Sequence, residues 1–230
     1  DYTKESGARE LERQISTICR KVICNEIYDT IIKEKDLDKY LGKEKFRQDE
    51  ANEKNEIGIV RGLAWTSVGG DTLQIEVNTM PGKGMLVLTG NLGDVMKESA
   101  QIALSYAKSV AKEYGIDSKF FKENDIHMHI PEGAVPKDGP SAGITMSTAI
   151  VSAIANIPVD RYLAMTGEVT LRGKVLPIGG LKEKLLAAKD AGMKKVLVPV
   201  KNKTDVEEFS TEITDGLKIV YVSEMTEVLK

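Results

Sequence analysis

Cysteine, histidine, aromatic side chains and long apolar runs are all scarce in this chain. Aromatic residues make up 5% of its 230 residues, with a single tryptophan. No stretch approaches the roughly 20 apolar residues a bilayer-spanning helix needs, so no membrane partner is expected. The two cysteines, Cys19 and Cys24, lie five apart in a helical pattern, which separates them on the helix surface and rules out a C-x-x-C redox or zinc arrangement. Both are expected as reduced core residues. A surplus of one charge is also missing: 32 basic residues against 35 acidic ones leave a net charge of −3, without the basic excess of a nucleic-acid binder. No G-x-x-x-x-G-K-[ST] loop occurs anywhere, so the chain cannot hydrolyse ATP by a P-loop. Internal repeats are absent, which excludes a solenoid. The opening at Asp1, without methionine or a secretory leader, is expected of a fragment of a longer cytoplasmic or organelle-matrix protein.

What remains is an ordinary globular composition, 41% hydrophobic and 29% charged, at a length suited to one large domain with a small neighbour. From Ser6 to about Thr30 the residues Leu11, Ile15, Ile18 and Val22 recur at helical spacing, and a shorter pattern with Leu37, Tyr40 and Leu41 ends before Gly42. Residues 1–47 therefore read as a small helical unit. The run QDEANEKNE carries one apolar residue, Ala51, and reads as a solvated linker over 48–56.

Beyond it, over 57–230, the period switches. Ile57, Ile59 and Leu63, then Leu73, Ile75 and Val77, then Leu86 and Leu88 alternate between turns at Gly69-Gly70 and Pro81-Gly82-Lys83-Gly84, predicting successive antiparallel strands. A helix over 92–114 follows. Strand-like segments at 125–130, 162–170, 174–177 and 195–200 then alternate with helices near 141–156 and 180–191, giving an α+β fold with mixed pairing.

Chemistry concentrates in residues 131–156, where a glycine- and proline-rich loop delivers Ser141 to the start of a helix of small and apolar residues. Free backbone N–H groups at such a helix start suit a phosphate or the oxyanion of an acyl-transfer intermediate. A plain N-capping serine fits as well. Gly139-Pro140-Ser141-Ala142-Gly143 matches the G-x-S-x-G elbow, but that fold needs its histidine after the serine, and His127 and His129 both precede it. A nucleophilic Ser141 would then need a lysine base, and such a lysine must be desolvated to lose its proton near neutral pH. Lys184 lies in the apolar stripe of its helix with Leu181, Leu185 and Ala188, while Lys182, Glu183, Lys189 and Asp190 fall outside it. The alternative is a snorkelling lysine whose ammonium reaches water.

His127 and His129 alternate with Ile126, Met128 and Ile130 and share the polar face of a strand; with Asp125, Glu132 or Asp138 they could hold a metal, but H-x-H without a third spaced ligand predicts none. Thr166 stands at a strand end, where its hydroxyl can orient an amine or close a turn. Trp65 and Glu76 on the early strands read by default as a core aromatic and a solvated carboxylate.

The loop PEGAVPKDGPSAG, the segment MTGEVTLRGKVLPIGG and the helix GGLKEKLLAA, in this order, resemble the proteolytic domain of the Lon family of ATP-dependent serine proteases, as do TGNLGDVMKESAQ from Thr89 and GLAWTSVGGDTLQIEV from Gly62. The resemblance spans about Ile57 to Val200. Residues 1–47 resemble the small helical subdomain of an AAA+ ATPase module, with SGARELERQ carrying a sensor-type arginine at Arg9. The resemblance implies a Ser141–Lys184 dyad, Thr166 bonded to the lysine, and Asp138, His129, Glu76 and Trp65 lining or flanking the site. It implies no cofactor for this fragment, ATP and Mg for the full-length protein, a hexameric ring, and misfolded or regulatory proteins as substrates. Two other readings stand beside it: a phosphate-binding domain of a small-molecule kinase, and a non-catalytic ring-assembly module.

Overall fold

A computed structural model describes residues 2, 3, 5, 7–25, 31–44, 51–131 and 135–230. The chain divides into two compact units, Asp1–Asp49 with Thr66–Gly69, and Glu50–Trp65 with Gly70–Lys230.

The first unit contains α1 (Arg9–Cys24), a 3-10 turn at Glu34–Asp36 and α2 (Leu37–Leu41). No side chain at the N-cap Ala8 closes α1. Glu5 does so instead, its Oε1 accepting from the backbone N–H groups of Glu10 (2.8 Å) and Leu11 (3.0 Å), which satisfies two of the orphan donors of a helix start. Lys21 Nζ donates to the carbonyl of Tyr40 near the end of α2 (2.6 Å). No residue of α1 is buried, and Leu11 and Ile15 are exposed. The expected burial of Cys19 and Cys24 is corrected by this: both are exposed, because the helix has no packed face for them to enter. The expected helical stretch at 26–30 lies outside the described residues.

The second unit holds, in chain order, β1 (Glu56–Ile57), β2 (Ile59–Thr66), β3 (Gly69–Pro81), β4 (Leu86–Thr89), α3 (Asp94–Val110), α4 (Phe120–Glu123), β5 (Asn124–His129), α5 (Gly143–Ala155), β6 (Pro158–Val159), β7 (Leu163–Met165), β8 (Glu168–Val169), β9 (Val175–Leu176), α6 (Leu181–Asp190), β10 (Lys195–Pro199), α7 (Lys203–Glu207), α8 (Thr211–Thr214), β11 (Lys218–Val222) and α9 (Met225–Val228). Seven strands form one mixed sheet in the order β11-β10-β7-β2-β3-β5-β4, and β1–β6 and β8–β9 form two small ladders. The expected antiparallel succession fails at β4. It does not follow β3 in the sheet but pairs in parallel with β5, Thr89 opposite His129, because the turn at 81–85 is pinned sideways by Asp125 Oδ1, which accepts from Lys83 N and Met85 N at 2.8 Å each. Residues 52–55, expected as solvated linker, are tied down instead. Arg61 donates to Asn52 Oδ1 (3.1 Å), Arg161 N donates to Asn55 Oδ1 (3.1 Å), and the Arg161 guanidinium reaches the carbonyl of Glu53.

The two-residue strand period assigns each side chain a face. Val60, Leu73, Ile75, Val77, Ile126, Met128 and Met165 turn to one core, shared with α3 and α5. Leu63, Ala164, Val196 and Val198 turn to a second core under α6, with Leu181, Leu185 and Ala188. On this second face the strands β3, β5 and β4 carry polar residues instead, among them Gln74, Glu76, His127, His129 and Thr89. One face of the sheet is thus half apolar under a helix and half polar.

Candidate active site

Ser141 enters the site two residues ahead of α5, whose run from Gly143 to Ser152 is entirely buried. That helix consists of small, β-branched and aliphatic residues, so it can sit between α3 and the sheet with no polar face. The Ser141 backbone is fixed to the segment after β7: Gly167 N–H donates to Ser141 O (2.8 Å), Thr166 Oγ1 donates to the same carbonyl (3.3 Å), and Ile144 N–H donates to Gly167 O (3.0 Å). Thr166 is fully buried, its own N–H held by Leu197 O on β10 (3.1 Å).

Lys184 comes from α6 on the same side. Its Nζ donates to Ser141 Oγ at 2.8 Å and to Thr166 Oγ1 at 3.1 Å. At 2% exposure this is not a snorkelling lysine. Burial pushes its pKa down to about 8, and no carboxylate contributes to the shift. The amine is therefore close to releasing its proton at neutral pH. Once it does, the same short contact can run in the other direction, with the Ser141 hydroxyl donating to the nitrogen lone pair and Thr166 still accepting from an amine hydrogen.

Glycine makes the approach of α6 possible. A Cβ on Gly70, at the start of β3, would overlap the backbone carbonyl of Glu183, the residue before Lys184. Gly180, at φ +65°, leads into α6, and a Cβ there would lie 2.8 Å from Trp65. Nothing in the hydropathy pattern exposes the Gly70 contact, since it depends on which helix packs over the strand. Trp65 itself is 62% exposed rather than a core aromatic, because α6 begins beside it at Gly180 and leaves one side of the indole open.

Asp138 is exposed and its Oδ1 accepts from Met96 N (3.0 Å) and Gly139 N (2.9 Å), so it caps α3. His129 pairs across strands with Glu76, and Gln74 Nε2 donates to Glu76 Oε1 (2.9 Å). His127 Nε2 and His129 Nδ1 both meet Thr89 Oγ1, at 3.0 and 2.7 Å, a residue that hydropathy reading passes over as a strand end. Asp125 is occupied by backbone donors that hold its carboxyl below the usual range, and Glu132 lies outside the described residues. Among the described residues no three histidine, cysteine or acidic side chains gather as metal ligands. Arg9 is exposed at the first position of α1. No helix among the described residues is long and apolar enough to cross a membrane.

Residues 31–230 match the family model of the Lon protease (S16) C-terminal proteolytic domain. The chain belongs to the Lon family. Residues 1–35 match the Lon protease AAA+ ATPase lid domain. Its relatives include Lon protease 1 of Syntrophobacter fumaroxidans, 56% identical, a Lon protease of Lachnoclostridium phytofermentans, 53% identical, and Lon protease 1 of Bacillus subtilis, 52% identical. Each comparison covers 100% of this chain but only 29%, 34% and 30% of the respective relative, so the chain spans a minor part of the Lon proteins it matches.

Proposed function

We propose that this chain is the proteolytic part of an ATP-dependent Lon protease and works as a serine endopeptidase through a Ser141–Lys184 dyad. The contact of 2.8 Å between Lys184 Nζ and Ser141 Oγ, inside a site that lowers the lysine's pKa, carries this reading. Lys184 takes the hydroxyl proton as Ser141 Oγ attacks the scissile carbonyl carbon. Backbone N–H groups beside Ser141, ahead of α5, receive the oxyanion. The C–N bond then breaks as Lys184 returns the proton to the leaving amine, and water hydrolyses the serine ester by the same base. Thr166 keeps the lysine aimed at the serine. A phosphate-binding role fits less well, because a phosphate site wants a charged, accessible lysine.

In this reading residues 1–47 are the small helical subdomain of the ATPase module, 48–56 join it to the protease, and 57–230 form the protease domain. Asp138, His129, Glu76 and Trp65 line or flank the site. The chain carries no phosphate-binding loop, so its residues do not fit ATP and Mg on their own and no ATP-driven step is assigned to them; Arg9 serves as a nucleotide sensor only in the full-length protein. The full-length assembly is proposed as a cytoplasmic hexameric ring that degrades misfolded and regulatory proteins. This chain cleaves peptides and unstructured proteins at most. The test is hydrolysis of casein and of a fluorogenic peptide by the wild type, Ser141→Ala and Lys184→Ala, each shown to be folded by circular dichroism. Hydrolysis that both substitutions abolish supports the dyad. Equal hydrolysis by all three refutes it.

A further inference from the structure

The chain has only two histidines, and both present a ring nitrogen to a single point on the polar half of the sheet. We infer that His127 and His129 form a two-imidazole binding site for a first-row transition-metal dication, with Cu²⁺ the tightest ligand. The strand period of β5 sends both rings to the face opposite Ile126 and Met128. The parallel register of β4 then sets Thr89 beside His129. His127 reaches Thr89 Oγ1 through Nε2 at 3.0 Å, and His129 reaches it through Nδ1 at 2.7 Å, so rings two residues apart on the backbone converge.

A hydroxyl has one proton. It can donate to at most one of these nitrogens, so at least one of the two imidazoles donates to it. A metal needs a lone pair from each. A ring that donates satisfies this by moving its proton to its other nitrogen, with no change in net charge, while the Thr89 hydroxyl turns away about Cα–Cβ. Imidazole nitrogens bind such metals at about 2.0–2.1 Å, which requires the rings to close in modestly on the place the hydroxyl holds. Both rings are partly exposed and Thr89 is exposed, so water can fill the remaining coordination positions. Glu76, directly across the ladder from His129, adds negative charge to the same face. Imidazole with water and a nearby carboxylate favours Cu²⁺, Ni²⁺ and Zn²⁺ over Mg²⁺ or Ca²⁺, with Cu²⁺ at the top of the affinity order. Ser141, Lys184 and Thr166 take no part in this site, so metal binding tests it separately from the proposed dyad, although His129 and Glu76 also flank the active site in that reading.

The test uses the full chain carrying Cys19→Ser and Cys24→Ser, since those exposed thiols would compete for metal. Calorimetric titration with Cu²⁺ in a non-chelating buffer should show one equivalent per chain, and the electron paramagnetic resonance spectrum should carry splitting from two imidazole nitrogens. His127→Gln or His129→Gln should weaken binding at least ~10-fold, by comparison with what loss of a mere outer partner costs a metal site. The double substitution should remove it, together with the metal-induced rise in melting temperature. Thr89→Val should bind at least as tightly as the parent, because it removes the competing hydroxyl. A spectrum with one nitrogen or none, or undiminished binding by the double variant, would overturn the inference, and the spectrum needs no substitution at the site.

Discussion

Asp138 and Met96 are joined by a hydrogen bond of 3.0 Å from the Met96 N–H to the Asp138 carboxylate, three residues ahead of Ser141. The loop that carries the serine thus supplies the cap for α3. Lys137 reinforces the same junction, its N–H donating to Asn91 O (3.1 Å) and its carbonyl accepting from Gly93 N (2.7 Å). Gly93 has no side chain here because a Cβ would strike the Asp138 carboxyl. Asp138→Ala should lower stability by about 1 kcal/mol, the usual worth of a cap, and reduce peptide hydrolysis by loosening the loop. Asp138→Asn keeps an acceptor oxygen and should lose less. Thermal melts and turnover rates of the two variants check both statements.

The buried amine makes both activity and stability depend on pH. Burial holds the Lys184 pKa at about 8 in the fold, against an ordinary lysine value of 10.5. Hydrolysis should therefore rise as pH passes through about 8. For stability, the unfolded chain binds the extra proton between those two values, so unfolding free energy should rise with pH across that window. Below it both states are protonated and the full penalty is present. Lys184→Met should abolish activity, flatten that slope and stabilise the fold at pH 7 by up to about 3 kcal/mol, at roughly 1.4 kcal/mol per pKa unit. Denaturant titrations at pH 7 and 10 measure the difference.

Thr166 touches both partners of the proposed dyad, accepting from Lys184 Nζ and donating to the Ser141 carbonyl. Thr166→Val keeps the shape and removes both bonds. Losing a hydrogen bond to a buried amine costs on the order of 1–3 kcal/mol, so hydrolysis should fall about 10- to 100-fold. Thr166→Ser should restore most of it. A Thr166→Val variant with full activity and an unshifted pH profile would remove Thr166 from the account.

Gly70→Ala tests how α6 is held. The added methyl would meet the backbone of Glu183, which cannot move without shifting Lys184. Overpacking of this kind costs about 1–3 kcal/mol, and activity should fall by more than the lost stability explains. Melting curves and turnover measured on the same samples separate the two effects.

The sequence made the helices and the dyad candidates visible because each has a local cause. The buried run of α5 is written in small and aliphatic residues, and Lys184 stands out inside an apolar stripe. What it hid depends on contacts between distant segments. The sideways placement of β4 rests on Asp125 capturing two backbone N–H groups some forty residues earlier. Gly70 has no side chain to advertise its role, and Thr89 gains meaning only beside two histidines on a neighbouring strand. Cys19 and Cys24 misled because apolar spacing on α1 predicts a buried face that this chain leaves unburied. The proposed dyad became readable in the family resemblance, since hydropathy alone left Ser141 open to capping and Lys184 to snorkelling.

The most direct measurement of the dyad is the rate at which a serine-directed fluorophosphonate labels the chain, followed by intact-mass and peptide mass spectrometry from pH 6 to 10. The account predicts one adduct, on Ser141, forming faster as pH rises through about 8 and almost not at all in folded Lys184→Met. Labelling elsewhere, or a Ser141 rate that ignores both pH and the loss of Lys184, would contradict it.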